Sequence, residues 1–345
     1  MRYFIYNTAN SCNNKSSLEI TENAESVAAR YPVRLSDYYA GLIRVPDDPI
    51  WKQCIPDARE LEDADQSPDP LEEETLSPVP GLIHRYPDRV VLLVSNRCPV
   101  YCRFCMRKRL VGSGDAPMTE AALQKALEYI AAHSAIHDVI LSGGDPLMLD
   151  DASLSRILTG LRKIAHVAII RIGTRVPVTL PARITSDLCS LLKKFHPLYV
   201  NTHFNHPAEI TADSTAACAL LADAGIPLGN QTVLLKGVND SVEIMRDLMI
   251  GLLSIRVKPY YLHQMDLVRG TSHFRTSVRA GLEILRGLRG HISGMAVPQY
   301  VIDLPGGKGK VAILPDDFQV EGSILTIRTY TGELVTYQDI TDLQE

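Results

Sequence analysis

The chain has 345 residues, 46% of them hydrophobic and 22% charged, with a formal net charge of -5. That length can bury a full core, and α/β barrels of this size commonly form one domain. The acidic balance gives no basic field for nucleic acid and no apolar run reaches membrane-spanning length, so the expected partner is a small molecule. Residues 1–30 are polar and weakly patterned, and the six mostly apolar residues before Asn7 are too few for a signal peptide. Residues 57–80 form an acidic, proline-bearing connection. From Arg89 onward, apolar strand-like runs alternate with amphipathic stretches, the pattern of a parallel α/β sheet. Strands are predicted over 89–95, 137–142, 166–172, 198–203, 229–235 and 256–263. Helices are predicted over 119–134, 151–163, 185–195, 210–224, 242–254 and 275–289, with N-cap chemistry at Thr119 and Asp150. These six βα units fall short of the eight of a complete barrel. Residues 300–303 add a strand-like end, and 318–338 alternate like a hairpin about Thr331-Gly332.

The densest chemistry is Cys98-Pro99-Val100-Tyr101-Cys102-Arg103-Phe104-Cys105, on the loop leaving the first strand. Such loops carry the reactive groups of α/β enzymes. Three thiolates at this spacing can hold three irons of a four-iron cluster and leave the fourth open to chelate a small molecule. The competing reading, a structural zinc knot, needs a fourth ligand in paired spacing, and no second pair exists. Cys12, Cys54, Cys189 and Cys218 are scattered and read as free or buried thiols; with a thiolate-held cluster they point to a reducing cytoplasm.

Gly143-Gly144-Asp145 follows the second strand. A glycine pair there either lets the backbone approach a ligand or simply makes a tight βα turn. Pro305-Gly306-Gly307-Lys308-Gly309-Lys310 is a flexible loop that could bring a lysine amine to a carbonyl. Val311 after the lysine excludes a phosphate-binding GxxxxGK[ST] loop, and on local sequence alone a solvated basic turn is the better reading of the segment.

The CxxxCxxC spacing, with Phe104 before the last cysteine, resembles that of the radical S-adenosylmethionine enzymes. A longer resemblance, from about residue 33 to about residue 320, is to the lysine 2,3-aminomutase family. It is carried by His84-Arg85-Tyr86-Pro87, Leu141-Ser142-Gly143-Gly144-Asp145-Pro146, His203-Phe204-Asn205-His206-Pro207, Gly229-Asn230-Gln231-Thr232, His273-Phe274-Arg275-Thr276 and Asp303-Leu304-Pro305-Gly306-Gly307. The resemblance implies a partial, six-unit βα barrel of the radical SAM type. It would have an N-terminal extension over 1–84, the barrel over 85–299, and a lysine loop and hairpin over 300–345.

The resemblance also implies three cofactors: a [4Fe-4S] cluster on Cys98, Cys102 and Cys105, S-adenosyl-L-methionine, and pyridoxal 5′-phosphate. Lys310 would hold pyridoxal phosphate as an internal aldimine, although Lys308 stands where the family usually has glycine. Arg85, Tyr86 and Arg183 would hold the cofactor phosphate. Gly143, Gly144, Asp145, His203 and Gln231 would serve S-adenosylmethionine. Arg107 would grip the substrate carboxylate, and Asp266 with Asp303 the distal ammonium of a cationic substrate, which two carboxylates suit. His263 replaces a tyrosine of the best-known members.

The implied activity is an isomerase that moves the α-amino group of L-lysine to the β-carbon through a 5′-deoxyadenosyl radical, supplied with electrons by a flavodoxin- or ferredoxin-type reductant. Arginine, also cationic, stays open as substrate, as does a homo-oligomer. The family's zinc cysteines have no counterpart: Ser241 stands at one position and no cysteine follows Cys218, so no structural zinc is expected. A related aminomutase acting on translation-factor lysine lacks the glycine pair and the Asp303 loop. A non-catalytic iron–sulfur carrier would leave Gly143-Gly144, Lys310 and the aspartate pair unexplained.

Overall fold

Runs rich in valine, leucine and isoleucine make the sheet, and each is buried on the side that meets a helix. The computed structural model describes residues 5–6, 22–112, 116–315, 317–321 and 323–338; Cys12 lies outside them. Leu82–Tyr86 (β1) pairs antiparallel with Arg89–Ser95 (β2). Parallel strands follow in chain order: Asp138–Gly143 (β3), Ile169–Gly173 (β4), Leu198–Thr202 (β5), Leu228–Leu234 (β6), Lys258–Gln264 (β7) and Gln299–Leu304 (β8). Gly309–Ala312 (β9) returns antiparallel along β8. Spatial order equals chain order, so the sheet curls progressively without a crossover inside it. Its two edges meet where the Lys310 backbone N–H donates to Tyr86 Oη at 2.7 Å and Arg85 pairs with Asp303 at 3.5 Å. The result is a nearly closed barrel.

The six expected βα units are present, and residues 300–303 extend into a further parallel strand, β8. Helices Glu120–Ala132 (α1), Asp151–Arg162 (α2), Ser186–Leu192 (α3), Ala212–Asp223 (α4), Val242–Ser254 (α5) and Val278–Leu288 (α6) follow β3's predecessor and each later strand in turn. Thr119 and Asp150 accept from Ala122 N and Ser153 N, closing the two predicted N-caps. Val90, Leu92 and Val94 on β2 share one core with Leu123, Ala126 and Ile130 on α1. Ser241, at the position of the family's zinc cysteine, caps α5 by accepting from Ile244 N. The expected hairpin is Ile324–Arg328 paired with Leu334–Gln338, joined by a third strand, Phe318–Glu321. Among the described residues no helix is long and apolar enough to cross a membrane.

Two parts depart from a plain reading of the sequence. The helix expected over 185–195 stops at Leu192 and tightens into a 3-10 turn, Lys193–Phe195. The acidic connection over 57–80 is not a solvated linker: Glu60 and Glu73 are 1% and 4% exposed and pair with arginines of the barrel.

Candidate active site

The sheet wraps a cavity of about 1070 Å³ that runs from the loop after β2 to the strand starts at Arg89 and Lys258. Cys98, Cys102 and Cys105 border it. Of the residues between them, Pro99, Val100 and Phe104 also border the cavity, whereas Tyr101 and Arg103 do not. Arg103 is buried and clamps Glu60 with Nε at 2.8 Å and Nη2 at 2.5 Å, while its Nη1 donates to Pro32 O at 3.0 Å. Lys108 donates to the same carboxylate at 2.5 Å and to Gly270 O at 2.9 Å. Phe104 packs with Leu235, Val238, Met265 and Phe274 in a small separate core. Burial, with Asp145 nearby, pushes the Cys98 thiol well up, and burial beside Cys102 pushes Cys105 up to about 11. Such thiols ionise on binding metal and not before.

The glycine pair is demanded by the chain's own packing. Gly143 has φ +126°, and a Cβ there would lie 2.2 Å from Ser95 O; one at Gly144 would lie 2.6 Å from Arg97 O. The Asp145 carboxylate faces inward to accept from Leu147 N at 3.0 Å, Thr174 Oγ1 at 2.6 Å and Arg175 N at 2.7 Å. It fixes this turn against the loop after β4. His203 and Gln231 stand beside it on the cavity wall. Burial, with Arg175 close by, holds the His203 imidazole neutral, and its Nε2 is buried without a partner.

On the opposite wall Lys310 of β9 sits across from Asp303 of β8 in register. The Lys310 ammonium pairs with Asp303 and lies 3.3 Å from His263 Nδ1 and 5.3 Å from the Tyr261 ring centre. Burial opposes charge on Asp303, yet the hydrogen bond from His263 and the Lys310 charge hold its carboxyl well below the usual range. Asp266 has the reverse balance: burial, with Asp303 beside it, pushes it up to about 7. Arg107 is engaged by Glu73, at 3.0 Å from Nε and 2.7 Å from Nη2, and by Ser142 Oγ at 3.0 Å. Deeper in the cavity Arg89 lies 3.8 Å over the Tyr86 ring, and Arg171 pairs with Asp138 at 2.7 Å.

Residues 92–249 match the Radical SAM superfamily, and residues 285–345 match the family described as Lysine-2,3-aminomutase. The chain is 49% identical over 328 residues to an L-lysine 2,3-aminomutase of Fusobacterium nucleatum, covering 94% of this chain and 77% of that protein. It is 51% identical over 310 residues to the L-lysine 2,3-aminomutase of Clostridium subterminale, covering 88% and 74%. The chain belongs to the lysine 2,3-aminomutase family. A glutamate 2,3-aminomutase of Clostridioides difficile is also similar, at 46% over 321 residues, covering 92% of this chain and 76% of that one.

Within this family the site fits its cofactors by its own geometry. Among the described residues no three His, Cys, Asp or Glu side chains converge on one point as a single metal ion would require. A cubane cluster asks instead for thiolates spread around it, one per iron, and the three cysteines border one cavity. The orphaned His203 Nε2, the glycine turn and Gln231 offer polar contacts next to that space. Lys310 projects into the same cavity, with Arg85 and Tyr86 beside it.

Of the residues singled out in the sequence, Cys98, Cys102, Cys105, Arg85, Tyr86, Gly143, Gly144, Asp145, His203, Gln231, Arg107, Asp266, Asp303 and Lys310 all line the cavity. Arg183 does not. Its guanidinium donates to Leu147 O and Leu149 O, both at 2.9 Å, and to Asp151 at 2.6 Å, which ties the glycine turn to α2. Arg89, Arg171 and Glu73 are cavity residues that sequence reasoning passed over, because each alone reads as a strand-end or linker charge.

Proposed function

We propose that this chain is a radical S-adenosylmethionine aminomutase that converts L-lysine to β-lysine. The observation that carries the substrate is the pair Asp266 and Asp303 facing one buried cavity, next to the lysine that holds the carbonyl cofactor. Two carboxylates attract a cationic side chain and repel an acidic one. When bound, the cluster with S-adenosylmethionine supplies a hydrogen-abstracting radical, and pyridoxal phosphate supplies the carbonyl for the migrating nitrogen.

The chain's own residues do the positioning. Cys98, Cys102 and Cys105 hold the cluster at one end of the cavity, with Gly143, Gly144, His203 and Gln231 beside the sulfonium substrate. Lys310 offers its amine from the opposite wall. His263, kept neutral by burial and by the Lys310 charge, has its Nδ1 3.3 Å from Lys310 Nζ and 3.4 Å from Asp303, and so holds the pair in place. Arg85 and Tyr86 hold the cofactor phosphate, joined by Arg89 and Arg171 in place of Arg183. Arg107 meets the substrate carboxylate. This reading carries a cytoplasmic location and a one-electron donor of the flavodoxin or ferredoxin class.

The test is an anaerobic assay of the reconstituted protein against lysine, arginine, ornithine and glutamate. Lysine should have the highest kcat/KM, with glutamate inert. Turnover of glutamate above lysine would overturn the substrate assignment, and no turnover in a preparation that binds cluster and pyridoxal phosphate would overturn the activity.

A further inference from the structure

Arg175 follows β4, and its side chain is 8% exposed. Its Nη1 donates to Cys102 Sγ at 2.7 Å and its Nε to His203 O at 3.1 Å. Its Nη2 reaches Glu209 Oε1 at 2.7 Å, Gln53 Oε1 at 2.6 Å and Tyr39 Oη at 3.0 Å. The guanidinium carbon lies 5.2 Å from the Phe104 ring centre, within the cysteine loop. Glu209 is itself held, its Oε2 accepting from Asn205 N at 2.5 Å and His206 N at 3.0 Å. A single buried cation therefore divides its charge between a cysteine sulfur and a fixed carboxylate.

A charge-assisted hydrogen bond to sulfur draws electron density from it, and hydrogen bonds to ligating sulfurs are among the factors that set cluster potentials. We propose that Arg175 is a positioning residue that raises the reduction potential of the cluster through Cys102, and that Glu209 moderates this by holding the other edge of the guanidinium. The inference rests on the cluster reading above. The step concerned is the uptake of one electron by the cluster from an external low-potential flavodoxin- or ferredoxin-type donor, with no bond made or broken in the protein. The reduced cluster carries one more negative charge, so a cationic donor at Cys102 stabilises it over the oxidised form. Burial strengthens the effect, because little water reaches Arg175 to screen it.

The experiment is an anaerobic redox titration of the reconstituted full-length protein without S-adenosylmethionine, followed by the electron paramagnetic resonance of the reduced cluster. Wild type is compared with Arg175→Gln, Arg175→Lys and Glu209→Gln. The midpoint should move to more negative potential in Arg175→Gln, less far in Arg175→Lys, and to more positive potential in Glu209→Gln. Opposite signs at two residues of one contact are not produced by general loosening of the site. Midpoints that stay at the wild-type value, or that move the same way in Arg175→Lys and Glu209→Gln, would overturn the proposal. Should Arg175→Gln take up no iron, that last pair still decides it. Iron and sulfide analysis of wild type comes first: wild type without a cluster would remove the cluster reading itself, a different failure from unshifted midpoints.

Discussion

Glu60 lies in the acidic connection, yet it holds the cysteine loop in place. Its side chain is 0% exposed and faces Arg103 at 2% and Lys108 at 5%. Burial works against all three charges, and the arginine and lysine nonetheless keep the Glu60 carboxyl below its ordinary value. Lys108 shows the strain: burial outweighs Glu60 and brings it from 10.5 down to about 8. In Glu60→Gln two buried cations would lose their common counter-charge. Breaking a buried pair from one side typically costs about 3–5 kcal/mol, against about 0–1 kcal/mol for an exposed pair. Three hydrogen bonds from two cations place Glu60 at the upper side of that range, partly relieved because Lys108 can shed its proton. The assay is urea unfolding of the cluster-free protein under reducing conditions, read by circular dichroism, alongside iron bound per chain after reconstitution. Expected are a loss of several kcal/mol and reduced iron uptake, with partial recovery in Glu60→Gln combined with Lys108→Met. A single-mutant loss below about 1 kcal/mol, the size of a surface pair, would refute the reasoning. The pH dependence gives a second check. Between about 8 and 10.5 the unfolded chain binds a proton at residue 108 that the folded chain does not. Stability from this site therefore rises with pH across that window, and Lys108→Met should lose the rise.

Three further outcomes are expected. Borohydride treatment of pyridoxal-phosphate-loaded protein, then peptide mapping, should label Lys310; Lys310→Ala should lose the label and Lys308→Ala keep it. Asp266 is pushed up to about 7 by burial and Asp303, so below that pH a bound ammonium must displace its proton. The KM for lysine should then rise by up to about tenfold per pH unit below 7, a slope absent in Asp266→Asn, where a persisting slope would assign the titration elsewhere. Pyridoxal phosphate affinity, measured by absorbance titration, should fall in Arg171→Ala and stay close to wild type in Arg183→Ala; the opposite ranking would return the phosphate to Arg183.

The barrel was legible because its strands are unusually uniform. Arg89–Ser95 offers little but β-branched and leucine side chains, and the polar breaks between runs carry helix caps such as Thr119 and Asp150. The edges were not legible. Leu82–Tyr86 is apolar only in its first half, because His84, Arg85 and Tyr86 occupy the half that closes the barrel, and Gly309–Ala312 begins inside a glycine loop. Motif spacing found most of the cavity, since residues at successive strand ends are brought together by the fold itself. It could not find Glu60, Glu73 or Arg175. Their partners lie 43, 34 and 73 positions away, at Arg103, Arg107 and Cys102, and no local pattern separates a buried carboxylate from a solvated one.

Charge balance connects this geometry to substrate choice under the proposed function. At the Lys310 end of the cavity Arg85 and Lys310 face Asp303, with Asp266 close by, and Arg107 is paired with Glu73. In this state the Lys310 ammonium is the cation on Asp303. Were Lys310 to hold the cofactor carbonyl, its ammonium would no longer pair with Asp303, leaving that carboxylate with Arg85 at 3.5 Å and His263 at 3.4 Å. A substrate whose side chain ends in an ammonium restores the balance at that position, and its carboxylate competes with Glu73 for Arg107. Glutamate would add a further carboxylate beside two largely buried ones. Norleucine, with the length of lysine but no ammonium, would bring no cation to the aspartates. A lysine-to-norleucine preference in kcat/KM that is large in wild type and collapses in Asp303→Asn is the expected signature, and a preference unchanged by that substitution would dissociate the aspartates from substrate choice.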